Sequence, residues 1–262
     1  MNSSLLKISL LSSSFLLAAC VTSSPTGRNQ VLLFDNSQMS QLGVQSFEEM
    51  KNTQTINKDP KINAYVQCVA TSITSTLGKQ PDFSDWEVVV FESDQVNAFA
   101  LPGGKIGVYT GLLKVAKNQD QLATVIGHEI AHVQANHSNE RLSTSKLTGY
   151  GTQLGQIALE STEYQEIGMT ALGLGVQYGV IMPYGRAQES ESDILGLHLM
   201  NDAGFDAKQS VELWKNMSIA AGGNETLEFL STHPSNENRI NNLQNEFNKL
   251  TNTNKAKPVC SL

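Results

Sequence analysis

The chain has 262 residues, of which 40% are hydrophobic, and its formal net charge at pH 7 is −7. This length supports one substantial hydrophobic core, so we predict a globular protein. The acidic balance argues against a nucleic-acid partner, because binding to the phosphate backbone depends on clustered lysine and arginine. We therefore expect no nucleic acid among the partners.

Residues 1–19 have the pattern of a bacterial export signal, with a positive charge at Lys7, an apolar stretch and small residues at its end. The stretch Leu17-Ala18-Ala19-Cys20 resembles a lipobox, in which cleavage leaves Cys20 to be acylated. An ordinary signal peptide is the alternative. Acyl chains would anchor the protein to a bilayer. Val21, not aspartate, follows Cys20, which resembles the outer-membrane rather than the inner-membrane sorting pattern of enteric bacteria, so we expect a lipid anchor in the outer membrane, facing the periplasm.

We predict that residues 20–36 form a tether, because they are rich in serine, proline and glycine, and that residues 37–262 form one domain. Helical spacing of apolar residues dominates this domain. Three short segments have β character and are predicted to form a small antiparallel sheet: Trp86 to Phe91, Ala98 to Leu101 and Ile106 to Tyr109. The predicted fold class is therefore α+β and mostly α-helical.

Apart from Cys20, the chain has two cysteines, Cys68 and Cys260. In an exported protein such a pair is usually joined, so we predict a disulfide between them. Two independent buried thiols are the alternative.

The segment His128-Glu129-Ile130-Ala131-His132 has the pattern H-E-x-x-H. Residues four apart lie on one face of a helix, about 6 Å apart, so both imidazoles can reach one tetrahedral ion. Glu129 lies beside them and can act as a general base. The pattern predicts a site for one Zn²⁺ per chain, with His128 and His132 as ligands. Iron and manganese also suit two histidines and a carboxylate, but this motif favours zinc.

A catalytic zinc needs a third protein ligand. The metzincin pattern requires glycine and histidine where this chain has Ala135 and Ser138, so that class is excluded. His137 misses the required register by one residue and is interpreted as a helix-end group.

The carboxylates of Glu189-Ser190-Glu191-Ser192-Asp193 are the remaining candidates. Glu189 and Asp193 are four residues apart and share one helix face, whereas Glu191 is turned away from it. We therefore predict that Glu189 binds zinc and that Asp193 orients a ligating histidine.

The motif at residues 128–132 and the stretch from Gln188 to Gly196 together resemble the HtpX and Ste-type family of gluzincin metallopeptidases. The lipobox, Pro25-Thr26-Gly27-Arg28 and the stretch from Asn97 to Gly104 resemble its periplasmic lipoprotein branch. The resemblance implies a zincin-like metallopeptidase domain, and it also selects Glu189 as ligand, since the family's glutamate lies four residues before the aspartate.

The resemblance also implies roles for three other parts of the chain. His233 would either stabilise the oxyanion or occupy the open zinc position until activation. Arg239 would pair with an active-site acid, although it also suits the protein surface. The residues Asn97, Ala98, Phe99 and Ala100 would form an edge strand to which an extended peptide substrate adds, although the hairpin also suits the core. From the residues themselves, His198 is interpreted as structural. Residues 168–182 are too short to span a membrane and are interpreted as a helix packed under the active site or lying over it as a lid, with contact to a membrane as the alternative.

These features predict zinc-dependent hydrolysis of peptide bonds, and the family resemblance implies misfolded or misassembled envelope proteins as substrates. The partners would be protein or peptide substrates, the outer membrane and its assembly or protease complexes. The alternative is a latent protease or a chaperone-like lipoprotein that aids outer-membrane protein quality control. A purely structural lipoprotein is a further alternative, but a structural zinc normally has four protein ligands.

Overall fold

The computed structural model describes residues 21–159, 182–222, 228–233, 237–251 and 255–262. The predicted signal peptide, Cys20 and nearly all of residues 168–182 lie outside these ranges. In the described parts of the chain, no helix is both long enough and apolar enough to cross a membrane.

The described residues contain the following helices and strands in chain order. The strands are β1 (Val21–Ser23), β2 (Asn29–Val31), β3 (Glu87–Phe91), β4 (Ala98–Leu101) and β5 (Lys105–Tyr109). The helices are α1 (Asn36–Thr53), α2 (Pro60–Thr74), α3 (Gln119–Gln134), α4 (His137–Leu159), α5 (Met182–Asp202), α6 (Gln209–Ala221), α7 (Glu228–Thr232) and α8 (Glu237–Phe247). The predicted α+β, mostly helical fold is confirmed.

The chain divides into two compact units, one made of residues 1–35 and 135–183, the other of residues 36–134 and 184–262. The predicted division into a tether and a single domain from residue 37 remains a prediction. In the first unit, β1 and β2 pair as an antiparallel hairpin whose turn contains Gly27 at φ 87°. Residues 21–31 of the segment predicted to be a tether thus form a hairpin, in which backbone pairing satisfies polar groups.

In the second unit, the three-stranded sheet has the order β3-β5-β4. β4 and β5 are antiparallel, as predicted, but β3 runs parallel to β5, with Val88 opposite Ile106. The expectation of a wholly antiparallel sheet is thus wrong for β3. The chain reverses direction twice between β3 and β5, and β5 therefore runs parallel to β3. β5 is the central strand of the sheet, and its residues Ile106 and Val108 are completely or almost completely buried.

The helices α2 and α3 contact each other, and α3 also contacts β4 and α6, so the main core surrounds α3. Asp59 caps α2 by accepting hydrogen bonds from the N–H groups of Lys61 and Ile62, and Pro60 occupies the first helical position. The predicted disulfide is present: Cys68 of α2 is joined to Cys260 near the C-terminus. These contacts fix α3 from several sides.

Candidate metal centre

The helix α3 carries the H-E-x-x-H motif through the core. Asn118 caps it by accepting a hydrogen bond from the N–H of Gln121 at 2.9 Å. Every residue from Asp120 to His132 is buried. An all-round buried helix holds its side chains in fixed rotamers, so the two histidines are positioned before any ligand arrives.

Four side chains of the second unit converge beside this helix: His128, His132, Glu189 and His233. Each is buried, and one ligand atom from each lies within 4.8 Å of all the others. His128 Nε2 lies 3.0 Å from His132 Nε2 and 3.3 Å from His233 Nδ1. Glu189 Oε2 lies 3.2 Å from His128 Nε2, and Glu189 Oε1 lies 3.4 Å from His132 Nε2.

These spacings fit a tetrahedral zinc ion. Zinc–nitrogen and zinc–carboxylate bonds of about 2.0 to 2.1 Å place neighbouring ligand atoms about 3.3 Å apart. The observed separations of 3.0 to 3.4 Å surround that value. Three imidazoles and a carboxylate are also the nitrogen and oxygen donors that zinc accepts. The residues present therefore fit the metal that the sequence predicted.

Glu189 and Glu191 are both buried, at 1% and 4% exposure, but only Glu189 belongs to the cluster. Burial disfavours its charged form, yet hydrogen bonds from His128 and His233 hold the pKa of Glu189 far below its usual range. Glu189 is therefore an anion, as a metal ligand must be.

Asp193 lies behind His128, with Oδ1 3.1 Å from the Nδ1 atom of that histidine. Arg239 donates two hydrogen bonds of 2.7 Å to the Asp193 carboxylate. Burial opposes the charged form of Asp193, but Arg239 and His128 lower its pKa overall. This arrangement directs Nε2 of His128 towards the cluster, and the roles predicted for Asp193 and Arg239 remain predictions.

A glycine contact allows α5 to approach α3 closely enough for these interactions. A Cβ atom on Gly127 would lie 2.9 Å from the carbonyl oxygen of Gly196, and one on Gly196 would lie 2.7 Å from the backbone nitrogen of His128. No side chain fits at this crossing. Sequence reasoning missed this role, although two glycines inside helical patterns were a signal of close backbone approach.

Glu129 points from α3 towards β4 and is 4% exposed. Burial raises the pKa of its carboxyl group, and nearby charge on His233 and His128 only partly offsets this effect, as does a hydrogen bond from the Ala100 backbone. Oε1 lies 3.4 Å from Nε2 of His233. A carboxylate with a raised pKa beside a metal site suits transfer of a proton to and from a reacting water.

The predicted edge strand β4 lies at one side of its sheet. The N–H of Tyr109 donates to the Asn97 carbonyl, so the backbone groups of Ala98 and Ala100 face the opposite edge by strand alternation. Asn97 Oδ1 accepts from the Ala98 N–H at 2.9 Å. The Phe99 ring packs against Phe91 and away from that edge.

Two other histidines lie outside the cluster, as predicted. His137 begins α4 and is 1% exposed. His198 Nε2 forms a partly exposed contact of 3.0 Å with Glu246 Oε1. Neither contributes an atom to the cluster of four.

The buried H-E-x-x-H helix and the carboxylate from a second helix define a zincin-type metal site. Residues 57–247 match the profile of peptidase family M48, and the chain belongs to this family. Zinc is the metal used by this family, and relatives that the chain matches are named metalloendopeptidases. Membership of the periplasmic lipoprotein branch remains a prediction.

The chain is similar to several characterised metallopeptidases. It is 36% identical over 160 residues to the mitochondrial metalloendopeptidase OMA1 of Schizosaccharomyces pombe, covering 61% of this chain and 46% of that protein. It is 32% identical over 234 residues to OMA1 of Bos taurus, covering 83% and 44%. It is 27% identical over 221 residues to the beta-barrel assembly-enhancing protease of Escherichia coli, covering 81% and 44%. The chain thus spans about half the length of these relatives.

These relatives correct the expected location. The prediction of a lipid-anchored outer-membrane protein facing the periplasm rested on the first 21 residues, whereas the two OMA1 relatives, at 36% and 32% identity, are mitochondrial metalloendopeptidases. A short leader is read from composition alone, and the same apolar and small residues serve several targeting signals. Acylation of Cys20 remains a prediction.

Proposed function

We propose that this peptidase hydrolyses internal peptide bonds of misfolded or misassembled proteins, with zinc held by His128, His132 and Glu189. One observation carries the assignment: the ligand atoms of these residues lie 3.0 to 3.4 Å apart, as around a tetrahedral zinc. The name of the Escherichia coli relative links that protein to beta-barrel assembly, and it supports substrates among misassembled envelope proteins.

The residues around the site divide the chemistry between them. His128, His132 and Glu189 would hold a zinc ion, which would supply Lewis-acid polarisation of the scissile carbonyl and of the attacking water. Glu129 accepts the proton of that water through its carboxylate and later delivers it to the leaving amine nitrogen. Its burial excludes bulk water, which would otherwise compete for the same proton. An extended substrate would add to β4 through the carbonyl oxygens of Ala98 and Ala100, whose N–H groups bond Asn97 Oδ1 and Glu129.

The first experiment measures zinc content and casein cleavage of the purified protein. Wild-type protein is expected to hold one zinc ion per chain and to cleave casein. Glu129→Gln should retain zinc but lose cleavage, because the amide cannot accept the proton. Glu189→Ala should lose both. Glu191→Gln is the matched control, since Glu191 is a buried glutamate of α5, the helix that carries Glu189, and lies outside the cluster. Cleavage that survives in Glu129→Gln would reject the assigned base.

A latent protease is the second candidate, and His233 supports it. His233 Nδ1 lies within 3.0 to 3.3 Å of Glu189 Oε2 and His128 Nε2, where a fourth ligand would be. A catalytic zinc keeps that position open for water or substrate. For latency, His233→Ala should raise casein cleavage while zinc is retained. A fall in cleavage would instead assign His233 to stabilisation of the oxyanion.

A further inference from the structure

Trp214 of α6 is a buried aromatic residue that no part of the reaction above uses. It is 4% exposed, and its ring lies 3.9 Å from the Cζ atom of Arg239. At that distance the guanidinium lies over the face of the indole, which is the arrangement of a cation–π contact. Trp214 is therefore a direct neighbour of the residue that holds Asp193.

The guanidinium of Arg239 is bonded to Asp193 along one of its edges. Nε and Nη2 bond the two oxygens of Asp193 at 2.7 Å, and this fork fixes the guanidinium in its own plane. Nη1 is held less closely, at 3.3 Å from Glu189 Oε2 and 3.4 Å from the His233 carbonyl oxygen. A planar group held along one edge can still tilt about that edge. The indole face opposes this tilt.

Trp214 also contacts Phe229, the residue that stacks on His233. Its ring centroid lies 6.0 Å from that of Phe229, which is 1% exposed. Phe229 in turn stacks on His233, at 4.6 Å between centroids and 28° between planes. The N–H of Phe229 donates to the carbonyl of Val96, just before β4. The Trp214 indole therefore contacts Arg239, which bonds Asp193 behind His128, and also Phe229, which stacks on His233.

We infer that Trp214 is a positioning residue for the metal centre: it holds Arg239 flat against Asp193, which orients His128, and it supports Phe229 behind His233. This inference rests on the proposed zinc site. Residues that orient metal ligands from behind affect metal affinity by about 10 to 100 fold when they are removed. An effect on zinc affinity larger than the effect on stability distinguishes positioning from simple core packing.

The test compares zinc affinity, by competition with a chelator, in three variants. Trp214→Leu keeps a large apolar side chain but loses the aromatic face, and it should weaken zinc binding about tenfold. Trp214→Phe restores an aromatic face and should recover most of the loss. Trp86→Leu is the matched control, because Trp86 is the other tryptophan and packs on Phe83, outside the cluster. Thermal unfolding of each zinc-free variant reports the structural cost separately.

Three results would overturn the inference. In the first, Trp214→Leu weakens zinc binding no more than Trp86→Leu does. In the second, Trp214→Phe and Trp214→Leu lose equal affinity, so that aromaticity is irrelevant. In the third, the loss of affinity follows the loss of stability across all three variants. Wild-type protein without zinc affinity would instead reject the proposed function itself, which separates the two failures.

A fluorescence measurement covers the case in which Trp214→Leu does not fold. In Trp86→Phe, Trp214 is the single tryptophan. Zinc binding changes the charge near Arg239, since Glu189 and the His233 carbonyl both contact Nη1, so it should shift the Trp214 emission. The shift should shrink in Arg239→Lys. Unchanged emission in protein that demonstrably binds zinc would overturn the inference.

Discussion

Arg28 and Glu140 form a two-point ion pair, with Nη1 2.6 Å from Oε1 and Nη2 2.7 Å from Oε2. The Glu140 side chain is fully buried, and that of Arg28 is 21% exposed. The pair joins the N-terminal hairpin to the start of α4. Next to it, Gln30 donates a hydrogen bond of 2.5 Å to the carbonyl of Ala135. The hairpin is therefore part of the folded first unit.

Removal of this arginine should destabilise the protein strongly. Arg28→Ala leaves the buried Glu140 charge without its guanidinium, which costs about 3 to 5 kcal/mol. Arg28→Lys keeps the charge but loses the fork and should cost less. Unfolding in urea measures both values, with Arg186→Ala as an exposed control. A loss below about 1 kcal/mol in Arg28→Ala, typical of a surface pair, would contradict this prediction.

Gly196→Ala should force α3 and α5 apart. The new methyl group would meet the backbone of His128 at 2.7 Å, and backbone atoms cannot rotate away as a side chain does. We expect a loss of about 1 to 3 kcal/mol in unfolding free energy, as for other overpacked sites. Zinc affinity should also fall, because Glu189 and Asp193 move with α5. Gly185→Ala on the same helix is the control, since nothing lies within 4 Å of its added methyl group.

Zinc binding should release a proton at pH 7. In the metal-free protein, burial lowers the pKa of His128, but Asp193 and Glu189 outweigh it and raise the pKa to about 9. Zinc binds only the neutral ring, so apparent affinity should rise about tenfold per pH unit between pH 7 and 9. Without zinc, the same raised pKa contributes stability below about pH 6.5 that is lost as pH rises through about 9.

Calorimetry in buffers of different ionisation heat measures the number of protons released. Asp193→Asn removes one of the two carboxylates that raise the pKa of His128, so it should release fewer protons at pH 7. Zinc affinity that does not change between pH 7 and 9 would show that His128 is neutral before the metal binds.

Reduction of the disulfide should destabilise the protein. The bond closes a loop with a sequence separation of 192 residues, and the chain-entropy estimate for such a loop is about 5 kcal/mol. Guanidinium unfolding with and without a dithiol reductant measures the change. The double variant Cys68→Ser and Cys260→Ser should match the reduced wild type and be insensitive to the reductant. Equal stability of the oxidised and reduced proteins would contradict the estimate.

Phe99→Ala should affect stability more than substrate binding. The Phe99 ring lies 6.1 Å from that of Phe91 and 6.2 Å from that of Phe47, within an aromatic cluster. Loss of a partly buried phenylalanine costs up to about 3 kcal/mol. The KM for a peptide substrate should stay within about twofold, because the backbone rather than this ring lies at the open edge of β4. A large rise in KM with unchanged stability would place the ring in the substrate site.

Local spacing accounts for the parts of the metal centre that the sequence predicted. His128, Glu129 and His132 lie within five residues of one helix, whose geometry fixes their relative positions. The helical spacing of residues also predicted Glu189 rather than Glu191 as the third ligand, independently of the family resemblance. The Cys68 to Cys260 pairing followed from counting, because two cysteines remained once Cys20 was set aside.

The missed features depend on partners that are distant in the sequence. Arg28 was interpreted as part of a tether because its neighbours resemble a linker, while its partner lies 112 residues away. The parallel pairing of β3 with β5 has no local signal, since only the path of the intervening chain decides it. The contact of Trp214 with Arg239 was not predictable from the sequence either, because a single tryptophan in a helical pattern is equally typical of an ordinary core residue.

The sequence by itself determined the H-E-x-x-H motif, and from it we predicted a third ligand and a general base, because helical period is a property of neighbouring residues. Only the tertiary structure decided how closely those groups meet. The contact of Gly127 with Gly196 sets the approach of two helices, and the contact of Arg239 with Trp214 sets the orientation of a buried ion pair. Both are packing distances between segments far apart in the chain, and close packing fixes them only once the whole core has formed.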